Sequence, residues 1–331
     1  MAAPELLLYS WNTQASFFDT EASWILRDID ARVTEQVQLI AVALQEAVKP
    51  GSQFVSLILP NHLAALGFVQ LRRSRLMGVG VTTYKALQRL DLRLRGLRLA
   101  LYARRSWLGP DDAELPAVDE SYCYCAGIYQ YSLGKGALSF ALDLPRGLGR
   151  LRLINTHLPF DAASLTAEDS STRQASVEWQ SAALRDIWQQ LVEPERDAFV
   201  ILAGDLNYRV RLAPGETASQ LSYVEPRRVY EERDELRAEL AKVGQLPPLA
   251  EGVDGAGPSF PPTAKLLRRS GGLFNHGKVG RRAPSWCDRV LYAPHKGLAC
   301  RTYERCEPNA ATADSDHASV VARFSLELSE K

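Results

Sequence analysis

The chain has 331 residues, of which 46% are hydrophobic, with 39 basic and 39 acidic side chains. That is enough apolar material for a full globular core. A net charge of zero excludes a global field that would gather nucleic acid or an anionic membrane, so any grip on a polyanion has to come from a local cluster.

In chain order, short apolar or alternating runs predict strands at about 5–11, 39–45, 67–72, 78–84, 97–104, 136–143, 150–156, 198–204, 288–293 and 319–326. Helical spacing covers 19–38, where Ile25, Ile29, Val33 and Val37 recur every fourth position. It covers 172–191 as well, where Gln180, Leu184, Trp188 and Leu191 share a stripe with Ile187 beside it. A third helical segment, 228–243, is charged all round except for Val229, Leu236 and Leu240, and is expected on the surface. Gly244–Pro262 reads as an irregular loop. Helices interspersed among more numerous strands predict a layered α/β sandwich, and a single domain over 1–331. Cys123, Cys125, Cys287, Cys300 and Cys306 show no zinc-like pairing, which suggests a reducing compartment. With no leader-like, membrane-spanning or prenylation signal, the expectation is a cytoplasmic protein.

Polar groups recur at predicted strand ends, where side chains converge outside a sheet edge. Asn12 follows 5–11, Glu46 follows 39–45, His157 follows 150–156, Asp205 and Asn207 follow the apolar run 198–203, and Asp316-His317 precedes the last strand. Each has a plainer explanation: an Asx turn for Asp205 and Asn207, a helix cap for Glu46, a half-buried imidazole for His157 and a strand flank for Asp316-His317. Together they suit chemistry on phosphate. A glutamate with an asparagine offers oxygen ligands to Mg²⁺, and two histidines with an aspartate supply proton transfer and charge stabilisation. Lys265, Arg268, Arg269, Lys278, Arg281 and Arg282 lie in a stretch without acidic residues, either a solvated loop or a clamp for further phosphates.

The chain resembles the inositol polyphosphate 5-phosphatases of the endonuclease/exonuclease/phosphatase superfamily. The strongest matches are Gly204-Asp-Leu-Asn-Tyr-Arg209 and Pro284-Ser-Trp-Cys-Asp-Arg-Val-Leu291. Supporting ones are Trp11-Asn12, Leu44-Gln45-Glu46, Lys135-Gly136-Ala137, Asn155-Thr-His-Leu158, Phe260-Pro-Pro-Thr263 followed by Lys265, and Ser315-Asp-His317. The resemblance implies a four-layer α/β/β/α sandwich of two mixed sheets flanked by helices, and Mg²⁺-dependent removal of the 5-phosphate from inositol polyphosphates or phosphoinositides. It implies that Glu46, with Asn12 and Asp316, holds the metal, that Asp205 aligns and deprotonates the attacking water, and that Asn207 binds a phosphate oxygen. His317, oriented by Asp288, would stabilise charge on the scissile phosphate, and His157 would bond the same group. Lys135, Lys265, Arg282 and Arg289 would contact substrate. Ala264 replaces a usual Tyr that touches the 4-phosphate, which weakens the expectation of a 4,5-bisphosphate preference, and Gly134 replaces a usual Asn.

The expected assembly is a monomer acting without nucleic acid and touching membranes only transiently, through Leu158, Phe160 and Leu165 or through Leu76 and Met77. Two other readings remain: a nuclease- or sphingomyelinase-like phosphodiesterase, disfavoured by the tryptophan motif and the lack of a basic face, and an inactive phosphoinositide-binding scaffold, disfavoured by the intact candidate residues.

Overall fold

The computed structural model describes residues 2–14, 23–49, 54–75, 77–80, 94–110, 114–125, 135–160, 170–195, 198–213, 215–221, 225–268, 270, 272–276, 282–307 and 315–327. Two sheets carry the fold. The first runs β12 (Leu298–Arg305), β13 (Val320–Leu326), β1 (Glu5–Asn12), β2 (Val37–Lys49), β5 (Leu94–Arg104), β3 (Phe68–Arg73), with β4 (Met77–Gly80) also on β5. The second runs β10 (Ala250–Glu251), β11 (Asp288–Tyr292), β9 (Ala198–Asp205), β8 (Gly149–His157), β7 (Gly136–Leu144), β6 (Asp119–Tyr124).

Each sheet has one parallel pair, β1 with β2 and β8 with β9, and its other strand pairs are antiparallel. A parallel pair needs a crossover. Helix α1 (Ser23–Arg32) lies in the first and α3 (Ser170–Leu191) in the second, so the two sheets repeat one βαβ plan without a repeated sequence.

Strand alternation sorts the apolar side chains into three layers. Leu6 and Leu8 of β1 point between the sheets, where they join Leu99 and Leu101 of β5, Leu138 and Phe140 of β7, Leu153 of β8, Ile201 of β9 and Phe324 of β13. Leu7, Tyr9 and Trp11 point the other way, under Ile25 and Ile29 of α1 and Leu59 and Leu63 of α2 (Leu59–Ala65). On the far side, Ile154, Val200 and Leu202 meet Leu184, Ile187 and Leu191 of α3. The expected four-layer sandwich is what forms. All five cysteines are free and buried, and among the described residues no helix is long and apolar enough to cross a membrane.

Several expectations change in detail. The four-residue periodicity over 19–38 outlasts its helix: α1 ends at Arg32, and Val37 is the first residue of β2. The charged segment 228–243 is two short helices, α4 (Pro226–Arg233) and α5 (Glu235–Leu240), capped by Glu225 and Asp234. It is not a surface helix, because Val229, Tyr230, Asp234, Glu235, Leu236 and Glu239 are all buried. The loop 244–262 contributes β10. Strands β6 and β12 were not anticipated. Residues 81–84 of one expected strand, and Leu165 and Leu76, lie outside the described residues.

Candidate active site

One row of the second sheet carries much of the site. Backbone register places Gly136 opposite His157, His157 opposite Asp205, and Asp205 opposite Asp288. The last residue of β8, the last of β9 and the first of β11 thus stand side by side at one rim. Gly204 makes this spacing possible: its φ is +154°, and a Cβ there would lie 1.8 Å from the Thr156 carbonyl oxygen. The first sheet supplies the facing rim with Asn12, Glu46 and His317. Glu46 does not end its strand as expected. It sits in a bulge at φ +50°, after which β2 continues to Lys49. Two buried amides link the sheets under the rim: Gln45 Nε2 donates to Asn155 Oδ1 (2.7 Å), and Asn155 Nδ2 donates to the carbonyls of Leu44 (3.0 Å) and Arg98 (2.7 Å).

Asp205 is the hub. Its Oδ2 accepts from Asn12 Nδ2 at 2.8 Å and lies 3.3 Å from His157 Nε2 and 4.0 Å from His317 Nε2, while Oδ1 accepts from the Asn207 backbone N–H at 3.0 Å. Burial alone would push this carboxyl up. The His157 hydrogen bond and the charges of His317, His157 and Lys135 outweigh it and hold the group well below the usual carboxylate range.

His317 has the form of an oriented imidazole. Nδ1 meets Asp288 Oδ2 at 2.8 Å, Thr263 Oγ1 donates to the same oxygen at 2.7 Å, and Nε2 faces Asp205, Asp316 (3.6 Å) and Lys265 Nζ (3.0 Å). Burial opposes protonation here, but Asp288 and Asp205 reverse the balance and raise its pKa. His157 shifts the other way, lowered by burial and by the Lys135 charge. Its Nε2 lies against both Lys135 Nζ and Asp205, so this nitrogen either accepts from the lysine or donates to the carboxylate, according to whether it carries a proton.

Lys135 is held down to about 8 by burial, against the pull of Asp205 and Glu46, with Lys265 and Arg209 adding to the depression. Lys265 also pairs with Asp316 Oδ2 at 3.0 Å. Arg268 is exposed and donates to Gln14 Oε1, and Arg282 is half-buried with its backbone N–H on His276 O. Arg269, Lys278, Arg281 and Gly134 lie outside the described residues.

Two expected contacts fall elsewhere. Arg289, expected to touch substrate, is fully buried on the far side of its strand. It is bound by Asp234, by Glu251 Oε2 (2.7 Å) and by the Trp286 carbonyl. Tyr230 and Tyr303 donate to the same Glu251. This is a folding centre, and it is hidden in the sequence because Asp234 and Glu251 are remote from Arg289 along the chain. Asn207, expected to bind a phosphate oxygen, has its carboxamide engaged: Nδ2 donates to Leu158 O and Oδ1 accepts from Arg209 Nη2, both at 3.0 Å. Leu158, expected as a membrane-inserting side chain, is core, and Phe160 stacks on Arg209.

Among the described residues Asp205, Asp288 and His317 bring possible metal ligands within 4.8 Å of one another. Asp288 is committed to His317, however, so this is better read as a catalytic cluster. Hard oxygen donors also stand on the facing rim, namely Asn12 Oδ1, Glu46 and Asp316, whose buried Oδ1 has no hydrogen-bond partner among the described residues. That donor set fits a hard divalent cation. Glu46 is near enough for its charge to act on both Lys135 and His157. The Gln45–Asn155 tie was not foreseen as part of the site; its signal is an asparagine closing an otherwise apolar strand run.

The profile of the Endonuclease/Exonuclease/phosphatase family 2 matches residues 9–323. Among curated proteins, the chain is 30% identical over 210 residues to type IV inositol polyphosphate 5-phosphatase 3 of Arabidopsis thaliana, covering 61% of this chain and 29% of that protein. It is 26% identical to type I inositol polyphosphate 5-phosphatase 13 of the same plant, covering 96% of this chain and 30% of that protein. The chain therefore spans less than a third of the length of either relative. Among solved structures, it superposes on the inositol polyphosphate 5-phosphatase domain of SpSynaptojanin, in complex with inositol (1,4)-bisphosphate and calcium, with a TM-score of 0.69 at 19% identity, covering 98% of this chain and 84% of that one. A Cimex nitrophorin, in a ferrous NO complex, superposes with a TM-score of 0.66 at 17% identity, covering 99% and 100%. Such different contents on one scaffold mean that the fold alone assigns no chemistry.

Proposed function

Because the chain belongs to the Endonuclease/Exonuclease/phosphatase family 2, we propose that it is a single catalytic domain that hydrolyses the 5-phosphate of inositol polyphosphates or phosphoinositides with the help of Mg²⁺. The observation that carries this reading is the rim itself: an ionised aspartate, a carboxylate-oriented histidine and two lysines facing one space. The similarity to inositol polyphosphate 5-phosphatases supports it.

In this reading Asp205, ionised and aligned by Asn12, receives the hydrogen bond of the attacking water and takes its proton as the new P–O bond forms and the bond from phosphorus to the inositol oxygen breaks, the leaving oxygen taking a proton from solvent. His317 turns its Nε2 side toward the phosphate, with Asp288 holding the proton on Nδ1 and favouring the charged ring. Lys135, Lys265 and Arg282 bind the phosphates of the substrate, and His157 bonds the scissile group from the second sheet. Asn207 works through Asp205: its backbone N–H fixes Oδ1, and its carboxamide fixes the turn. Glu46, with Asn12 and Asp316, would hold the Mg²⁺, which supplies positive charge against the charge that develops on the phosphate. The protein acts as a cytoplasmic monomer whose contact with membranes is transient.

A phosphate-release panel tests the activity, comparing soluble inositol trisphosphate with bisphosphate and trisphosphate lipids. Release from at least one, abolished by a chelator and restored by Mg²⁺, is expected; silence with every species in Mg²⁺ overturns the reading. The panel also decides between soluble and lipid substrates.

A second test is the pH profile. Lys135 grips anions only while protonated and is held down to about 8, so kcat/KM falls as pH rises through that value. Lys135→Arg, which stays charged, moves this limb to higher pH. A limb that does not move in the variant removes Lys135 from substrate binding.

A further inference from the structure

Behind Asn207, on the α3 side of the rim, a partly open pocket of about 30 Å³ is lined by Phe160, Arg173, Ser176, Gln180, Arg209 and Glu235, with Ala283 and Ser285. One water needs roughly 10–15 Å³ measured this way. The space is therefore that of two or three waters, or of one tetrahedral oxyanion. Arg209 dominates it. The side chain is 8% exposed, Nη2 donates to Asn207 Oδ1 (3.0 Å), and the guanidinium lies 4.4 Å from the Phe160 ring centre. Its Nε and Nη1 are buried without a hydrogen-bond partner among the described residues. A buried guanidinium with two unanswered nitrogens is costly unless something polar answers them.

The geometry points to an accessory oxyanion site, in which a phosphate- or sulfate-class ion sits in this cavity against Arg209, with Arg173 as the second cation and Ser176 as a hydroxyl donor. Arg173 and Ser176 come from the first two turns of the 22-residue helix α3, whose amino-terminal end carries positive partial charge. The one acid in the lining is Glu235. Its Oε2 accepts from the Arg209 backbone N–H (2.8 Å), and burial pushes its carboxyl up to about 7, so near neutrality it only partly offsets the two arginines. Ser285 is already satisfied, accepting from Val210 N and donating to Ala283 O. Waters bridging Arg209 to Gln180 Oε1, also without a partner, are the competing occupant. The site is separate from the rim yet coupled to it, because the guanidinium that would hold the ion also holds Asn207.

Crystals of the full chain soaked in sodium selenate below pH 7, where Glu235 is mostly uncharged, test the assignment through selenium anomalous scattering. The expected result is a selenate within hydrogen-bonding distance of Arg209 Nε or Nη1, apart from any at Lys135 and Lys265. Water alone at Arg209 overturns the proposal. In solution, equilibrium dialysis against inorganic phosphate separates a built site from an adventitious ion only. Ser176→Leu, which fills the cavity and leaves the rim intact, weakens one class of phosphate binding about tenfold or more, and Lys265→Ala leaves that class unchanged. Equal binding by Ser176→Leu and the unmodified chain also overturns it. Arg209→Gln gives the same loss where it folds.

Discussion

Replacing His317 with alanine lowers kcat/KM by about 10²- to 10⁴-fold, the usual cost of removing one oriented acid–base or electrostatic group from a water-excluded site. The imidazole is central to the rim: it is buried, its Nδ1 is fixed by Asp288 and its Nε2 lies between Asp205, Asp316 and Lys265. The variant also leaves Asp288 with Thr263 as its remaining side-chain partner, so a thermal melt accompanies the kinetics to separate lost chemistry from lost folding. Asp288→Asn sharpens the assignment. Asp288 is the leading charge that raises the His317 pKa against the effect of burial. Without it the ring deprotonates at lower pH, and the alkaline limb belonging to His317 shifts down. Activity within threefold of the unmodified chain in His317→Ala, or an unshifted limb in Asp288→Asn, removes His317 from the mechanism.

Arg289→Ala acts on the fold instead. It strands two carboxylates, Asp234 and Glu251, in a place where burial already pushes both pKa values up and the guanidinium pulls them back. Breaking a buried pair by removing one partner costs about 3–5 kcal/mol, a large fraction of an ordinary domain's stability. Urea unfolding should show that loss. Arg289→Met, which keeps the volume but also strands the carboxylates, is equally damaging. In Arg289→Met with Asp234→Asn and Glu251→Gln much of the stability returns, because no charge is left unpaired. An Arg289→Ala variant of unchanged stability but impaired substrate binding would return Arg289 to the substrate-contacting role that its motif suggests.

The residues of the signature segments show what can be read from a linear chain. Asp205, His157, Asn12 and Asp316-His317 were legible because an apolar run that stops at a polar side chain marks a strand end, and strand ends converge. Arg289 was misread because the resemblance implied a substrate contact for the arginine of its motif, whereas its register on β11 sends it into the packed side of the sheet. The same blindness made 228–243 look solvent-facing: its Asp234 answers Arg289 and caps a helix, and its Glu235 accepts from the Arg209 backbone, relations that exist only after folding. Edge strands β6 and β12 escaped because their mixed side chains follow no clean alternation, and Glu46 was placed at a strand end because a bulge leaves little trace in composition. The overall layering was easier, since β1, β2 and β9 are apolar on both faces and so require cover on each side.

The amide tie between Gln45 and Asn155 has a consequence for how such a protein can be taken apart. Asn12, Glu46 and His157 precede residue 161, and Asp205, Asp288 and His317 follow it, so neither half of the polypeptide owns a working centre. Two fragments divided in the 161–169 segment would each be inert in solution. Mixing them would restore turnover only to the extent that β9 docks again beside β8, because the Gln45–Asn155 tie lies wholly within the first fragment and presets its share of the rim.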